Sequence, residues 1–216
     1  MRVGIIGAGN VGTGIGKRLA KAGHLVLVSF SKSRNALDQA ASVIGGGARV
    51  ASVAEAAAHG EVVVLATPWA ATREALTQAG GALSGKVVWD CTNPLKPDMS
   101  GLELGTTSSG GEQVAAWAPA ARVVKAIPPF AEVLHSGSTE IGGSLPGVFV
   151  CGNDADARKL VARLVAELGA DPVDAGPLAL ARYTEPLGML LVQLAYAQGM
   201  GPRIGAKLLR DGAGEA

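Results

Sequence analysis

Val3-Gly4-Ile5-Ile6-Gly7-Ala8-Gly9-Asn10-Val11-Gly12 runs a short apolar strand into the spacing G-x-G-x-x-G, and the small and apolar residues behind it open a helix. Each glycine answers a steric demand. Gly7 permits the sharp turn from strand to helix, Gly9 leaves room for a group to approach the backbone, and Gly12 lets the helix lie close on the strand. The free amides of Gly9, Asn10, Val11 and Gly12 then stand at the positive end of the helix, where a pyrophosphate is stabilised. The glycine spacing alone also occurs in structural turns. A strand directly before it and a helix directly after it are the context that a dinucleotide site requires.

Composition narrows the class. The chain has 216 residues, enough for one domain or one domain with a small appendage. Its net charge is +1, with no basic stripe or polybasic tail, which argues against nucleic acid and a membrane surface as partners. The longest apolar run near the C-terminus, Leu187–Ala197, contains Gln193 and is too short to span a bilayer. A strand starts at once, so no signal peptide is expected and the reading is cytoplasmic. Cys91 and Cys151 each end an apolar run and read as buried thiols rather than a disulfide or metal pair. No metal-ligand cluster is expected.

Apolar β-type runs alternate with helical patterns through the first two-thirds of the chain. Strands are expected at Val3–Ile6, Leu25–Ser29, Arg49–Ala51, Val62–Ala66, Val87–Asp90 and Val123–Ala126, with helices at about Val11–Ala22, Ser33–Ile44, Val53–Ala57, Ala70–Ala79 and Gly111–Ala116 between them. This alternation predicts an α/β fold, a Rossmann-like doubly wound parallel sheet, with a small helical C-terminal part. Runs such as Val62-Val63-Val64-Leu65 predict a sheet covered on both faces. A further strand is expected at Gly147–Val150, a helix at Ala155–Leu168 capped by Asp154, and a short strand at Pro172–Asp174. Helix is expected from Gly176-Pro177 to the end. The domain reading is 1–150 for the nucleotide and 151–216 packing on it. Leu187–Ala197 is apolar all round and predicts burial, in the core or against a second subunit, so a homodimer is expected.

Bound ligands should lie along the carboxyl ends of the strands. The second strand ends Val28-Ser29-Phe30-Ser31-Lys32-Ser33-Arg34, with no carboxylate between Gly23 and Arg34 to take a ribose 2′-hydroxyl. Ser31, Lys32, Ser33 and Arg34 instead supply the hydroxyls and cations that a 2′-phosphate needs, which points to NADP. Charge-assisted hydrogen bonds at roughly 1.5–3 kcal/mol each would favour it over NAD. The other reading of these residues is a solvated polar loop. At the fourth strand end, Thr67 and Pro68 are expected to face the ribose or nicotinamide, with Trp69 as a stacking wall or as core packing. Thr92-Asn93 ends the fifth strand and can hydrogen-bond a carboxamide or a ribose, or form only an Asx turn before Pro94. Ala126, a cofactor-binding candidate, ends the sixth strand, and Ile127 and Pro128 follow it near the nicotinamide face. Asp98–Gly111 reads as a mobile loop with Thr106–Ser109 as solvated surface, and Phe130–Pro146 as a long loop carrying a surface His135. Lys125 and His24 read as structural, His59 as exposed.

The order of Gly7-Ala8-Gly9-Asn10-Val11-Gly12, Thr67-Pro68-Trp69, Asn93-Pro94-Leu95, Val123-Val124-Lys125-Ala126 and Cys151-Gly152-Asn153-Asp154 resembles that in NADPH:coenzyme F420 oxidoreductases. The tail extends the resemblance through Asp174-Ala175-Gly176-Pro177-Leu178, Arg182 with Glu185, Gly199-Met200-Gly201, Gly205 and Lys207. The chain is similar as well to the cytosolic reductase domain of six-transmembrane metalloreductases. The resemblance implies hydride transfer between NADP(H) and a deazaflavin, coenzyme F420, held against the nicotinamide under the C-terminal helices. It implies that Gly7 to Gly12 hold pyrophosphate, that Ser31 to Arg34 hold the 2′-phosphate, and that Thr67, Pro68, Asn93 and Ile127 lie by the nicotinamide. One departure stands out. Relatives carry Asn or His after the Lys-Ala-apolar run, where this chain has Pro128 and Pro129. A flavin or another small electron acceptor therefore stays open beside F420. Two further readings are an NADPH-dependent reductase of a small carbonyl or imine and a non-catalytic NADP-binding protein. No catalytic acid or base is assigned.

Overall fold

Six strands of the computed structural model, which describes residues 1–211, form a parallel block: β1 (Arg2–Ile6), β2 (Leu25–Ser29), β3 (Arg49–Val50), β4 (Val62–Leu65), β5 (Val87–Asp90) and β6 (Arg122–Lys125). Two more, β7 (Gly147–Gly152) and β8 (Asp171–Gly176), extend the same sheet to the order β3-β2-β1-β4-β5-β6-β7-β8. The helices are α1 (Asn10–Lys21), α2 (Arg34–Ile44), α3 (Val53–His59), α4 (Trp69–Ala79), α5 (Gly110–Trp117), α6 (Ala131–His135), α7 (Ala155–Glu167) and α8 (Ala181–Val192). The fold is the expected doubly wound α/β sheet with a helical C-terminal part. Strand order reverses between β1 and β4, which opens a crevice at the carboxyl edge there.

Side-chain alternation along the strands sorts the core into two layers. Val62 and Val64 point to the layer that holds Ile15, Leu19 and Leu164. Val63 and Leu65 point to the other, with Val53, Leu76 and Val114. All four residues of β4 are fully buried, because helices cover both faces. Burying each such side chain stabilises the sheet by roughly 1.5–3 kcal/mol. Helix starts away from the crevice are closed by side chains: Ser33 caps α2, Ser52 and Glu55 form a capping box on α3, and Asp154 caps α7.

Several details differ from the sequence reading. β7 pairs antiparallel to β6, and β8 pairs parallel to β7, so the last two strands run against the block. Only Val124 and Lys125 pair with β7, through Gly152 and Cys151, so the start of β7 overhangs the carboxyl edge of the sheet. The expected boundary at residue 150 falls inside β7, and the sheet is continuous across it. The Phe130–Pro146 segment contains α6, which a loop rich in Gly and Ser on its far side hid. Ser109 is not solvated. It is fully buried and caps α5. His59 is half-buried, with its Nε2 on the Leu25 carbonyl. The C-terminal helix continues through a π-turn at Gln193–Ala197 and stops, and 198–211 run without helix, the Gly147 N–H donating a hydrogen bond to the Ala206 carbonyl at 2.7 Å. The rest of the expected terminal helix, 212–216, lies outside the described residues.

The opening turn makes a direct test of the packing. A Cβ on Gly12 would stand 1.9 Å from the Gly7 carbonyl oxygen, whereas a Cβ on Gly9 would meet no atom within 4 Å. Gly12→Ala is expected to lose at least about 2 kcal/mol in urea unfolding. Gly9→Ala is expected to stay within about 1 kcal/mol of the parent.

Candidate functional site

A cavity of about 730 Å³ occupies the carboxyl edge of the sheet, within the range of cofactor and substrate sites. Four strand ends supply its floor: Gly9–Val11 after β1, Ala66–Trp69 after β4, Cys91–Asn93 after β5 and Ile127–Pro129 after β6. The overhanging start of β7 adds Pro146, Gly147 and Phe149 on one side. Leu187, Gly188 and Leu191 of α8 close the opposite side, and Ile204–Ala206 of the C-terminal segment complete the rim.

Three helix starts open on this space without a side-chain cap; the short α6, after Phe130, has Glu132 in its first turn, and the other two are free of carboxylates. α1 begins at Gly9 and α4 at Pro68, and neither carries an acidic residue in its first turn. Their first amides keep their hydrogen-bonding capacity and add the positive end of the helix dipole, so the floor suits an anion. Gly7 makes the turn possible. Its φ of +122° is left-handed territory, and a Cβ there would come within 2.4 Å of the Ala66 carbonyl oxygen. Gly9 presents bare backbone to the cavity, the space a phosphate would fill. These features fit a dinucleotide.

Of the residues singled out from sequence, Gly9, Asn10, Val11, Thr67, Pro68, Trp69, Asn93 and Ile127 come together on the cavity wall. Gly7 and Gly12 lie under the turn, buried. Ala126 is a correction. It is fully buried behind the wall, its carbonyl accepting from Trp89 Nε1 at 2.8 Å, because the pleat turns it away from the edge. Ser31, Lys32, Ser33 and Arg34 are exposed beyond β2 and do not line the cavity. Phe30 just before them adopts φ +62°, unusual for a side chain of its bulk, and its carbonyl accepts from Ala8 N at 3.0 Å. That bond ties the end of β2 to the glycine turn. Ser33 uses its hydroxyl as the α2 cap, and Arg34 Nε lies 3.0 Å from Asp38. Trp69 stacks on Trp117 with ring centroids 5.3 Å apart and also lines the cavity.

Polar groups within the wall are few. Asn93 Nδ2 donates to the Glu185 carbonyl at 3.3 Å, whereas Asn93 Oδ1 and Thr184 Oγ1, both buried, find no hydrogen-bond partner among the described residues. Such atoms are costly unless a ligand or water meets them. Thr67 shares a hydrogen bond with Thr72 at 3.0 Å. Lys125 is fully buried and off the cavity. Its ammonium lies 2.7 Å from Asp90 Oδ2, 3.1 Å from Glu185 Oε1 and donates to the Thr92 carbonyl at 2.8 Å. The ammonium is hemmed in by two carboxylates and a carbonyl away from the cavity, so it offers no proton to a substrate.

His135 is also a correction. It sits on α6 rather than a surface loop, with Nε2 at 2.9 Å from the Asn10 carbonyl oxygen. Arg18 donates to the carbonyls of Leu134 and Ser136 at the end of α6. Together they pin α6 to α1, and Phe130, Ala131 and Glu132 then reach the cavity. His24, as expected, is structural, bonded to Glu167. Sequence reasoning missed Thr184, Leu187, Gly188 and Leu191. The signal was the apolar character of Leu187–Ala197, which read as core or interface; α8 instead turns one face into the cavity and leaves Tyr183 and Leu190 exposed. Among the described residues, no cluster of His, Cys, Asp and Glu suits a metal, and no helix is long and apolar enough to cross a membrane.

Comparison with known proteins bears on the same elements. The family model for coenzyme F420-dependent NADP oxidoreductases matches residues 2–94. The F420-dependent NADP reductase of Methanocaldococcus jannaschii is 29% identical over 223 residues, covering 94% of this chain and 98% of that protein. Rat metalloreductase STEAP3 is 29% identical over 193 residues, 88% of this chain, but the chain spans only 37% of the rat protein's length. A crystal structure from Arthrobacter sp. FB24, provisionally assigned as an F420-dependent NADP reductase, superposes with a TM-score of 0.85 at 32% identity over 96% of this chain and 99% of that one.

Cys91 lines the cavity and Cys151 lies in β7, both free and buried. Burial pushes the Cys151 thiol up to about 11, and the Cys91 thiol, beside the Asp90 carboxylate, well above its ordinary value. Thiolate therefore forms only as pH rises toward those values. At pH 8 the native protein is expected to leave both unmodified by a disulfide reagent, with roughly one Cys151 in a thousand ionised. Denatured protein should react at both at once.

Proposed function

The chain belongs to the family of F420-dependent NADP reductases and is an NADP-dependent oxidoreductase; on that premise we propose that it moves a hydride between NADP(H) and a deazaflavin, coenzyme F420, or a flavin. The observation that carries this reading is the cavity itself: anion-accepting helix starts at one end and apolar walls of Ile127, Pro128, Leu187 and Leu191 at the other. When bound, NADPH supplies the hydride and the acceptor takes it with a proton from water, leaving NADP⁺ and reduced acceptor.

The residues then have separable tasks. Amides of Gly9, Asn10, Val11 and Gly12 hold the pyrophosphate, and Gly7 makes room for the turn. Ser31, Lys32, Ser33 and Arg34 take the 2′-phosphate, Arg34 giving up its exposed pair with Asp38 to do so. An exposed i,i+4 pair is worth only about 0.3–0.5 kcal/mol, so the exchange favours the phosphate. Asn93 Oδ1 accepts from the carboxamide, and Thr67, Pro68, Trp69 and Ile127 wall the nicotinamide end. Hydride transfer between stacked rings needs proximity and dry walls more than acid or base. The absence of a free proton donor at Lys125 fits that chemistry better than carbonyl or imine reduction. Pro128 and Pro129 offer no N–H, which keeps flavins and other small acceptors beside F420.

Residues 1–150 serve the nucleotide on this reading, and 151–216 cover the acceptor. The exposed Tyr183, Leu190 and Met200 make a homodimer face. Two free buried thiols suit the reducing cytoplasm.

NADPH oxidation under anaerobic conditions should reduce F420 or a free flavin, followed by absorbance. Tight NADP binding with no turnover of either would leave a nucleotide-binding protein instead. Lys32→Ala and Arg34→Ala should raise the NADPH KM by about tenfold while the NADH value barely moves; equal effects would place the phosphate elsewhere. Gly9→Val, stable on thermal unfolding, should give no calorimetric heat with NADP.

A further inference from the structure

Three ionisable side chains lie together in the interior, behind the cavity wall. Asp90 and Lys125 are fully buried and Glu185 is 1% exposed. They come from β5, β6 and α8. Lys125 Nζ reaches Asp90 Oδ2 at 2.7 Å, the Thr92 carbonyl at 2.8 Å and Glu185 Oε1 at 3.1 Å. Asp90 Oδ1 accepts from Thr92 N and Oγ1 at 2.9 and 2.7 Å. Glu185 accepts from Gly110 N and Gly111 N, at the start of α5, at 2.8 and 2.9 Å.

Stability gives no reason for this arrangement. A well-packed apolar trio of the same volume holds elements together as well as a buried ion cluster or better. What the ions add is direction. An ammonium that donates to the Thr92 carbonyl and is paired with carboxylates from two other elements holds those elements at set distances, whereas apolar contacts slide. The partners are placed where sliding matters. Thr92 and Asn93 form the floor of the cavity at the β5 end, and Thr184, Leu187 and Gly188 on either side of Glu185 form the facing wall. Asn93 Nδ2 adds a second tie to the Glu185 carbonyl at 3.3 Å. Two carboxylates outweigh desolvation and hold Lys125 above its ordinary value, so the ammonium stays charged.

We propose that Lys125 is a positioning residue: through Asp90, Thr92 and Glu185 it fixes the spacing between the cofactor-side floor at Thr92–Asn93 and the acceptor-side wall of α8. The proposal rests on the hydride-transfer reading for its purpose, because that reaction needs the rings at roughly 3–3.5 Å and a 1 Å misplacement costs about a hundredfold in rate.

The test compares Lys125→Met, Glu185→Gln and the double variant Lys125→Met/Glu185→Gln with the parent. The single Lys125→Met variant strands two buried carboxylates and is expected to lose much of its thermal stability. The double variant removes one charge of each sign, so it should regain part of the Tm lost by Lys125→Met, with Asp90 still lacking its cation and the new amide nitrogen set against a glycine N–H. Its kcat should nevertheless stay down by at least about tenfold while the calorimetric Kd for NADPH stays within about threefold. Amide exchange supplies a readout independent of turnover. In Glu185→Gln and the double variant, protection should fall together in Thr92, Asn93 and Leu95 and in residues 184–192. A stable double variant with kcat within about twofold of the parent would overturn the proposal, as would exchange that rises in α8 alone. Should the parent turn over neither F420 nor flavin, the hydride-transfer reading fails, and the exchange pattern alone still decides whether Lys125 couples the two walls.

Discussion

Backbone amides at the start of α1 are left without a side chain in front of them, and the site depends on that vacancy of bulk. Gly9 faces open space, while Gly7 and Gly12 are pressed against Ala66 and each other so tightly that no Cβ fits. One turn thus combines two opposite demands, closeness behind and emptiness in front. The cost of leaving helix amides unpaired is offset only when something negative meets them. The start of α4 at Pro68 repeats the device a few ångströms along the same edge of the sheet, again with no cap and no carboxylate. Helices that start away from the cavity, α2, α3 and α7, carry Ser or Asp caps.

The last third of the chain adds walls to the crevice at the carboxyl edge of the sheet. Reversal of β7 brings its start, Pro146–Gly147, past the carboxyl edge of the sheet, and α8 returns over the ends of β5 and β6. α8 is anchored from below by a carboxylate, Glu185, that meets both an ammonium and a helix start. A surface pair such as Arg182 with Glu112, at 2.6 Å, adds a second attachment on the outside. The outer pair is partly solvated and screened, so it contributes less than the buried one to where the helix sits. Its sign is simple: hydrogen bonds from Arg182 hold the Glu112 carboxyl below its usual range, so its contribution is present near neutrality and fades as the pH falls through that lowered value.

The apolar character of the walls also explains why so few titratable groups face the cavity. On the proposed reading, hydride passes between rings and puts no charge on a side chain, so shape and dryness are what the site would need. Besides the Cys91 thiol in the wall, the ionisable groups at the cavity are Lys96, Glu103, Glu132 and Tyr196, with the charged cluster buried behind it. Membership in the F420-dependent NADP reductase family agrees with that division.

From sequence alone, the elements fixed by short-range physics were readable. Gly7, Gly9 and Gly12 announce the turn, Val62–Leu65 announces a doubly covered strand, and Asp154 announces a capped helix, because each effect acts within a few residues. Gly9–Val11, Thr67–Trp69 and Asn93 could be assigned to one edge for the same reason: they end parallel strands. What only tertiary structure decided was anything set by partners distant in the chain. Lys125 read as structural in the sequence, but its partners Asp90 and Glu185 are 35 and 60 positions away, and their meeting depends on how β5, β6 and α8 pack. The direction of β7, the seat of His135 on Asn10, and the face that α8 turns to the cavity belong to the same class. An apolar helix is equally at home against a core, a subunit or a ligand, so its own residues do not choose among them.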